Sequence, residues 1–417
     1  MTDRLSTYWV FQRPVNDMLQ LQTNLNKTQE QISTGKRILT PADDPVGASR
    51  VLQLNQEIAL MDQYERNITL LDARLEQEEG VLGAAEDSIA RIRELAVQAG
   101  NAGVLTGSDR KAIAAEIRER VDEMYGLMNS KDGSGEYLFA GFSGNTQPFV
   151  ENPGGGYGYA GDEGVRFLQV SQTITLASSD SGKNVFMDIP SDANSFTSYA
   201  NPNNSGTPPG IISAGITLDQ QKLDAFYPED AVITFENPLD VDPAETNFTV
   251  RRKSDGRVLE NLQNVSYNPG SPIQVGGVSV NITGSPDPGD QFIIESSNKQ
   301  GVLTTFEKFL FTLENYPPGT GFDEAYDANI AQTLNNLDNT IDNVSQIRAR
   351  IGARMNTSES VMNQHADNKL AARDIKSNIE DLDFAEAVSR LQMESFILQA
   401  AQQSFAQTSR LSLFDFI

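Results

Sequence analysis

Three short stretches of this 417-residue chain carry residue types that do chemistry in other settings. GYGYAG, residues 156–161, has the spacing G-x-G-x-x-G, whose glycines let a main chain cradle a pyrophosphate when a strand precedes and a helix follows. Here Asp162, Glu163 and a strand-like run follow, so a phosphate would meet carboxylates, and the stretch reads as a glycine-rich turn. DVDPAE, residues 240–245, opens with the first two acids of a calcium loop but lacks its glycine and distal glutamate, and reads as a loop. His365 is the single histidine and there is no cysteine, which removes disulfides, thiolate chemistry, iron-sulfur clusters and most zinc constellations. His365 also falls on the seven-residue line of a long helix, where it is a polar seam position rather than a ligand. The sequons Asn203-Asn204-Ser205 and Asn281-Ile282-Thr283 are short enough to arise by chance. No Ser-His-Asp set, P-loop lysine or activated nucleophile can be assembled. The chain therefore reads as no enzyme, with no catalytic, cofactor-binding or metal residues.

Charge narrows the partners. With 57 acidic against 32 basic residues the formal charge is -25, which repels phosphate backbones and anionic lipid, so neither nucleic acid nor membrane is expected. "MTDRLSTYWVFQRPV" carries Asp3, Arg4 and Arg13 and has no apolar run of secretory length, and no membrane-spanning stretch appears later. A soluble protein without a cleavable signal peptide is expected. The absence of cysteine fits either the cytosol or an exterior where thiols are a liability.

What remains is architecture. Residues 15–33 place Met18, Leu21, Leu25, Thr28 and Ile32 on one helical stripe, and Gly35 and Pro41 end it. Asp44-Pro45 restarts a helix, with the Asp as cap and the proline at its first position. From Val46 to Ala99 the seven-residue line runs Leu54, Met61, Ile68, Leu75, Leu82, Ile89, Ala96, with Tyr64, Leu71, Ala85, Ile92 and Ala99 beside it, the signature of a coiled-coil-like rod weakened at Gly80 and Gly83. A helix over about 109–129 follows, with Ser108 as its cap. The period then changes: "DGSGEYLFAGF" (132–142) and "GVRFLQVSQTITL" (164–176) read as turn and strand, residues 190–210 as a linker, and "AVITFENP", "TNFTVRRKSDGRVL", "PIQVGGVSVNITG" and "GDQFIIES" as a second β unit. Residues 146–300 hold 8 basic and 19 acidic residues, as an outward-facing module would. Past 302 the heptads return at Ile330, Leu337, Val344, Ile351, Ser358, His365, Ala372 and Ile379, with Ile341, Met355 and Met362 as the companion line. A last helix after Asp381 carries Val388, Leu391, Ser395, Leu398, Ala401 and Phe405 on one face.

The fold class expected is α+β: a long antiparallel coiled-coil-like rod built from both chain ends, hence discontinuous, with all-β modules inserted. Its divisions are 1–45 and 381–417 as terminal assembly helices, 46–145 and 302–380 as the rod, 146–200 as a first β module and 201–301 as a second. The outermost helices, "QLQTNLNKTQEQIS" and "ILQAAQQSFAQTS", are poor in charge and can crowd beside copies of themselves without repulsion, so they are expected to order on assembly.

"ISTGKRILTPADDPVGASRVLQLNQEI" (32–58) resembles the N-terminal signature of the flagellin superfamily. "IRARIGARMNT" and "SNIEDLDFAEAVSRLQMESFILQAAQQSFAQTSRLSLFDFI" resemble its C-terminal signature, with Ser412-Leu413-Phe414 in place of a Ser-Leu-Leu tail. Within the superfamily the early "RLSTYWVFQ" and the "TPADDPVGAS" loop are more similar to the junction proteins between hook and filament than to filament flagellin, as are "GEYLFAGFSGNTQPF", "YAGDEGVRFLQV" and "GSPDPGDQFII". The resemblance implies a structural adaptor of the bacterial flagellum, exported through the flagellar type III apparatus with a chaperone. It would form a ring of copies between the first junction protein and flagellin, outside the cell. Its terminal helices would pack through Met18, Leu21, Leu25, Ile32, Val388, Leu391, Leu398 and Phe405, residues taken from stripe and position. Filament flagellin itself, and an adhesin with β modules on a helical stalk, are the alternatives.

Overall fold

The computed structural model describes residues 7–101, 105–241, 243–319 and 321–414, without the side chains of 7–11 and 408–414. The first residues of "RLSTYWVFQ", Asp242 of "DVDPAE" and the side chains of the Ser412-Leu413-Phe414 tail therefore lie outside the described part. The chain opens with helices α1 (Thr7–Thr34), α2 (Pro45–Gly100) and α3 (Gly107–Met128). Strands β1 (Phe149–Glu151), β2 (Tyr157–Tyr159), β3 (Phe167–Gln169) and β4 (Thr175–Ala177) follow, then α4 (Gly182–Phe186) and β5 (Pro190–Ala200). Next come β6 (Ile211–Ile212), β7 (Ile216–Thr217), α5 (Gln220–Phe226), β8 (Ala231–Phe235), β9 (Asn247–Arg252) and β10 (Val265–Ser266). Strands β11 (Pro272–Val275), β12 (Val278–Thr283) and β13 (Gln291–Lys299) precede α6 (Val302–Asn315), α7 (Asp323–Glu380) and α8 (Phe384–Phe414). The class is α+β. The chain forms two compact units, a terminal one of residues 1–66 with 360–417 and a central one of residues 67–359.

In the central unit α2 and α7 run antiparallel, because partner numbers fall along one helix as they rise along the other. Asp72 meets Ser358, Glu79 and Glu86 both meet Arg348, and Arg93 meets Asp338. Between these polar rims the heptad line is dry: Ile68, Leu75, Leu82, Ile89 and Ala96 face Leu337, Val344 and Ile351, all fully buried. Gly80 and Gly83 do not interrupt α2. Gly83 lies beside Arg348, whose guanidinium spans Glu79 and Glu86 of α2, and a Cβ there would stand in ordinary contact at 3.8 Å. The companion line of α7 differs from the apolar reading. Thr333, Thr340 and Ile347 are buried, whereas Ile341 and Met355 are half-buried. The threonine hydroxyls donate to Asn329 O and Asn336 O at 2.7 Å, which satisfies them inside the seam.

Helix α3 begins two residues earlier than expected and its cap is Thr106, not Ser108, in a reciprocal capping box with Asp109. "DGSGEYLFAGF" forms no strand beyond a single bridge between Lys131 and Tyr137. Asp132 Oδ1 accepts from the main-chain N–H groups of Ser134 and Glu136 at 2.9 and 3.0 Å, so this segment turns on itself while Leu138, Phe139 and Ala140 are buried. β1–β2 and β3–β4 are antiparallel hairpins. GYGYAG, read as a turn, instead holds strand β2 at Tyr157–Tyr159, with the turn before it at residues 152–156.

Residues 190–200, linker-like in composition, are β5, which pairs with β13 at the edge of an antiparallel sheet ordered β10-β9-β8-β13-β5. Serine and asparagine content signals a loop only where no neighbour takes up the main chain, and here β13 does. A second sheet joins β11, β12 and β6, with β7 also on β12, and Gly276-Gly277, both at positive φ, make the tight β11–β12 turn. The two sheets share a core that includes Phe196, Ile233, Phe235, Val250, Val280 and Phe292.

Candidate assembly interface

The terminal unit is built on the pairing of α1 with α8. Along α1 the covered positions are Met18, Leu21, Leu25, Thr28, Gln31 and Ile32, and along α8 they are Ala387, Leu391, Leu398, Ala401 and Phe405. The three-and-four spacing produces one covered stripe per helix, and the two stripes form the seam between them. Seven of the eight residues singled out by stripe therefore lie half-buried in this seam, while Val388 is exposed. The stripe left other residues unaccounted for. Leu19, Met393, Phe396 and Ile397 are 57, 60, 68 and 42 % exposed, on the faces turned away from the seam. The signal for them is in the sequence: α8 carries more large apolar residues between 391 and 398 than a single stripe accommodates.

The loop from Gly35 to Asp44 ties these helices to the start of α2 and the end of α7. Gly35 ends α1 at φ +71°, a conformation that a Cβ penalises. Its carbonyl accepts from Leu382 N at 3.0 Å, Arg37 N donates to Glu380 O at 2.7 Å, and the Arg37 guanidinium donates to Ile379 O and to Asp44 Oδ2. Lys36 pairs with Glu380. Asp43 accepts from the N–H groups of Leu39 and Thr40 and meets Lys27, and these bonds, that of Lys27 foremost, hold its carboxyl down at about 2. Asp44 caps α2 through Gly47 N at 2.8 Å, and that bond with Arg37 holds its carboxyl below the usual range. Further along, His365 stacks on Tyr64 with centroids 5.5 Å apart, and Lys369 pairs with Asp62 and Glu65. The single histidine thus sits in the α2/α7 seam. Gly35→Ala should destabilise the terminal unit by about 1–2 kcal/mol, the cost of a left-handed non-glycine residue. Urea titration followed by helical circular dichroism measures it, and an unchanged profile would show that the turn tolerates a Cβ.

The central unit holds its own buried charges. Glu78 is fully buried, and its carboxyl accepts from Asp180 N at 3.2 Å, while Asp180 is gripped by both Arg354 nitrogens at 2.7 and 3.1 Å. Burial, then the Asp180 charge, pushes Glu78 up to about 8. Lys308 Nζ donates to Phe196 O, Ser195 Oγ and Gln300 Oε1 at 2.6, 2.8 and 3.0 Å and lies 3.9 Å from the Phe196 ring centre. Burial pulls its ammonium down to about 7, against three acceptors and a ring face that favour the charge. A groove of 750 Å³ lies among Leu70, Phe142 and Phe167, and the arginines at its floor are already paired, Arg74 with Asp132 and Arg166 with Glu136. Among the described residues no group of three or more histidines and carboxylates converges as metal ligands would, and no helix is long and apolar enough to cross a membrane.

Comparison with known proteins places the two chain ends in one family. The model of the bacterial flagellin N-terminal helical region matches residues 6–143, and that of the bacterial flagellin C-terminal helical region matches residues 334–417, together more than half of the chain. The flagellar hook-associated protein 3 of Salmonella typhimurium is 25 % identical over 411 residues, covering 99 % of this chain and 98 % of its own. The crystal structure of the flagellar hook-associated protein 3 from Legionella pneumophila is 26 % identical with a TM-score of 0.54, over 79 % of this chain and 98 % of that one. A structure described as the flagellar junction protein of the same organism is 27 % identical with a TM-score of 0.50, over 81 % of this chain and all of the other.

Proposed function

Because the chain belongs to the flagellin superfamily, with both helical ends in order, we propose that it is the structural adaptor between the hook and the filament of a bacterial flagellum. The observation that carries this reading is the surface of the terminal helices. α1 and α8 already satisfy each other through one seam, yet Leu19, Met393, Phe396 and Ile397 remain in water on helices poor in charge. A face of that kind is stable when a neighbouring copy or a related subunit covers it. In this reading residues 1–45 and 381–417 are the assembly helices, and 46–145 with 302–380 are the helical body. Two outer β modules, 146–200 and 201–301, lie between, with β5 at the end of the first pairing onto β13 of the second. The seam residues Met18, Leu21, Leu25, Ile32, Leu391, Leu398 and Phe405 hold each copy's ends together, and Val388 joins the outward residues as contacts between copies.

The partners in this reading are further copies in a ring, the first junction protein on the hook side and flagellin on the filament side. Export would proceed through the flagellar type III apparatus with a chaperone, and the role is structural rather than enzymatic. Deletion of the gene, with electron microscopy of the cells and an assay for flagellin in the medium, tests it. Hooks without filaments, with flagellin shed in quantity, are expected. Hooks without filaments and no shed flagellin would make this chain the filament subunit instead, and normal filaments would refute both.

A further inference from the structure

Helix α7 carries a second periodic line beside the apolar one. Asn329, Asn336 and Asn343 recur every seven residues, with Asn335 and Asn339 between them. Asn343 Nδ2 donates to the carbonyls of Asn184 and Val185 at 3.1 and 2.8 Å, and Asn339 Nδ2 to that of Pro190 at 3.0 Å. Asn336 Oδ1 accepts from Asp192 N at 3.0 Å and from Ser191 Oγ at 3.2 Å, and Asn335 Nδ2 donates to the Asp192 carboxylate at 2.8 Å. Asn329 bonds both main-chain groups of Thr217, its Nδ2 to the carbonyl at 2.7 Å and its Oδ1 to the N–H at 3.3 Å, as a neighbouring strand would. Asn329 and Asn336 are 7 and 3 % exposed. As residue numbers fall along α7 from 343 to 335 those of the partners rise from 184 to 192, so the stretch from the end of α4 into the start of β5 runs antiparallel to the helix with much of its main chain read by side-chain amides.

Main-chain groups need partners, and the last carbonyls of α4 and the residues between it and β5 have none within a helix or sheet of their own. We propose that this asparagine ladder is the positioning device of the β region: it sets the register of residues 184–192 on α7, and through β5 and β13 the angle at which the five-stranded sheet stands on the helical body. This inference is independent of the assembly reading. Apart from the Asn335 bond to the Asp192 carboxylate it works through uncharged groups, so the angle it sets should depend little on salt, in contrast to the ion pairs of the α2/α7 rims.

The absence of cysteine makes the test direct. Ser266→Cys on β10 and Gln346→Cys on α7, both exposed, take spin labels in the full chain, and pulsed electron resonance reads the distance distribution between them. A single narrow distance is expected, the same at low and high salt. Asn336→Ala with Asn343→Ala should at least double its width while far-ultraviolet circular dichroism keeps its helical signal, and the exposed Asn356→Ala should change nothing. Should the buried pair fail to fold, Asn335→Ala with Asn339→Ala, nearer the surface, should broaden the distribution in the same direction. A lowered melting temperature with an unbroadened distance would mean that the amides only stabilise, and would overturn the proposal, as would equal broadening by Asn356→Ala.

Discussion

Phe396→Glu should abolish filament attachment while leaving the purified chain as helical as the parent, whereas Leu398→Glu should abolish attachment and also cost helix in the terminal unit. The two residues are two positions apart on α8, so they point to different faces. Phe396 is largely exposed, and a glutamate there meets water in the free chain and an apolar neighbour only in an assembly. Leu398 lies half-buried in the seam with α1, where a carboxylate would be held against apolar side chains and separate the helices. The effect on attachment should be close to complete in both, since one desolvated charge repeats in every copy of a ring. Electron microscopy of cells carrying each variant, with circular dichroism of the purified proteins, separates the two roles. Normal filaments on Phe396→Glu cells would remove the outward face from the interface. Unchanged helix in purified Leu398→Glu would mean that the α1/α8 seam is not what holds the ends together.

Between pH 5 and pH 7 the chain should lose stability, and Glu78→Gln should remove a large part of that loss. The folded state holds the Glu78 carboxyl at about 8, against 4.5 as its ordinary value, because it is buried and faces the Asp180 charge. A group raised in this way contributes stability that is fully present below its unfolded value and is lost as pH rises through its folded value. The window for Glu78 is therefore about 4.5 to 8, and each pH unit inside it costs about 1.4 kcal/mol. Glu307, pushed by burial to about 7, adds loss of the same sign over the lower part of the window. Lys308, held down at about 7 from 10.5, acts oppositely but only above pH 7, which is why the comparison stops there. From pH 5 to 7 the Glu78 share is about 3 kcal/mol. Calorimetry of parent and Glu78→Gln at the two pH values measures it. Gln accepts the Asp180 N–H as the neutral acid does, so equal losses in both proteins would show that Glu78 is ionised in the fold at pH 5.

Local signals were readable residue by residue. The glycine at the end of α1, the Asp-Pro start of α2 and the heptads of α2 and α7 each act through main-chain geometry or through a period the helix imposes on its own side chains. They can be read without knowing any partner. The same holds for the two family signatures at the chain ends. Where a reading went wrong, a distant segment had decided the outcome. Residues 190–200 have loop-like composition and become β5 because β13 is there to pair with them. Thr333 and Thr340 are the local exception, entering the seam because their hydroxyls close onto their own helix.

By itself, then, the amino-acid order determined where the long helices run, that the middle of the chain is β, and that the two helical halves match in length and period. Only the tertiary structure decided which face of α8 packs on α1 and which stays exposed, where Glu78 loses its solvent, and that four asparagines bond main-chain groups 112 to 159 residues away. The reason is that periodicity specifies a stripe on an element, whereas burial, pKa and free surface depend on what covers that stripe, and that is set by contacts between residues far apart in the chain.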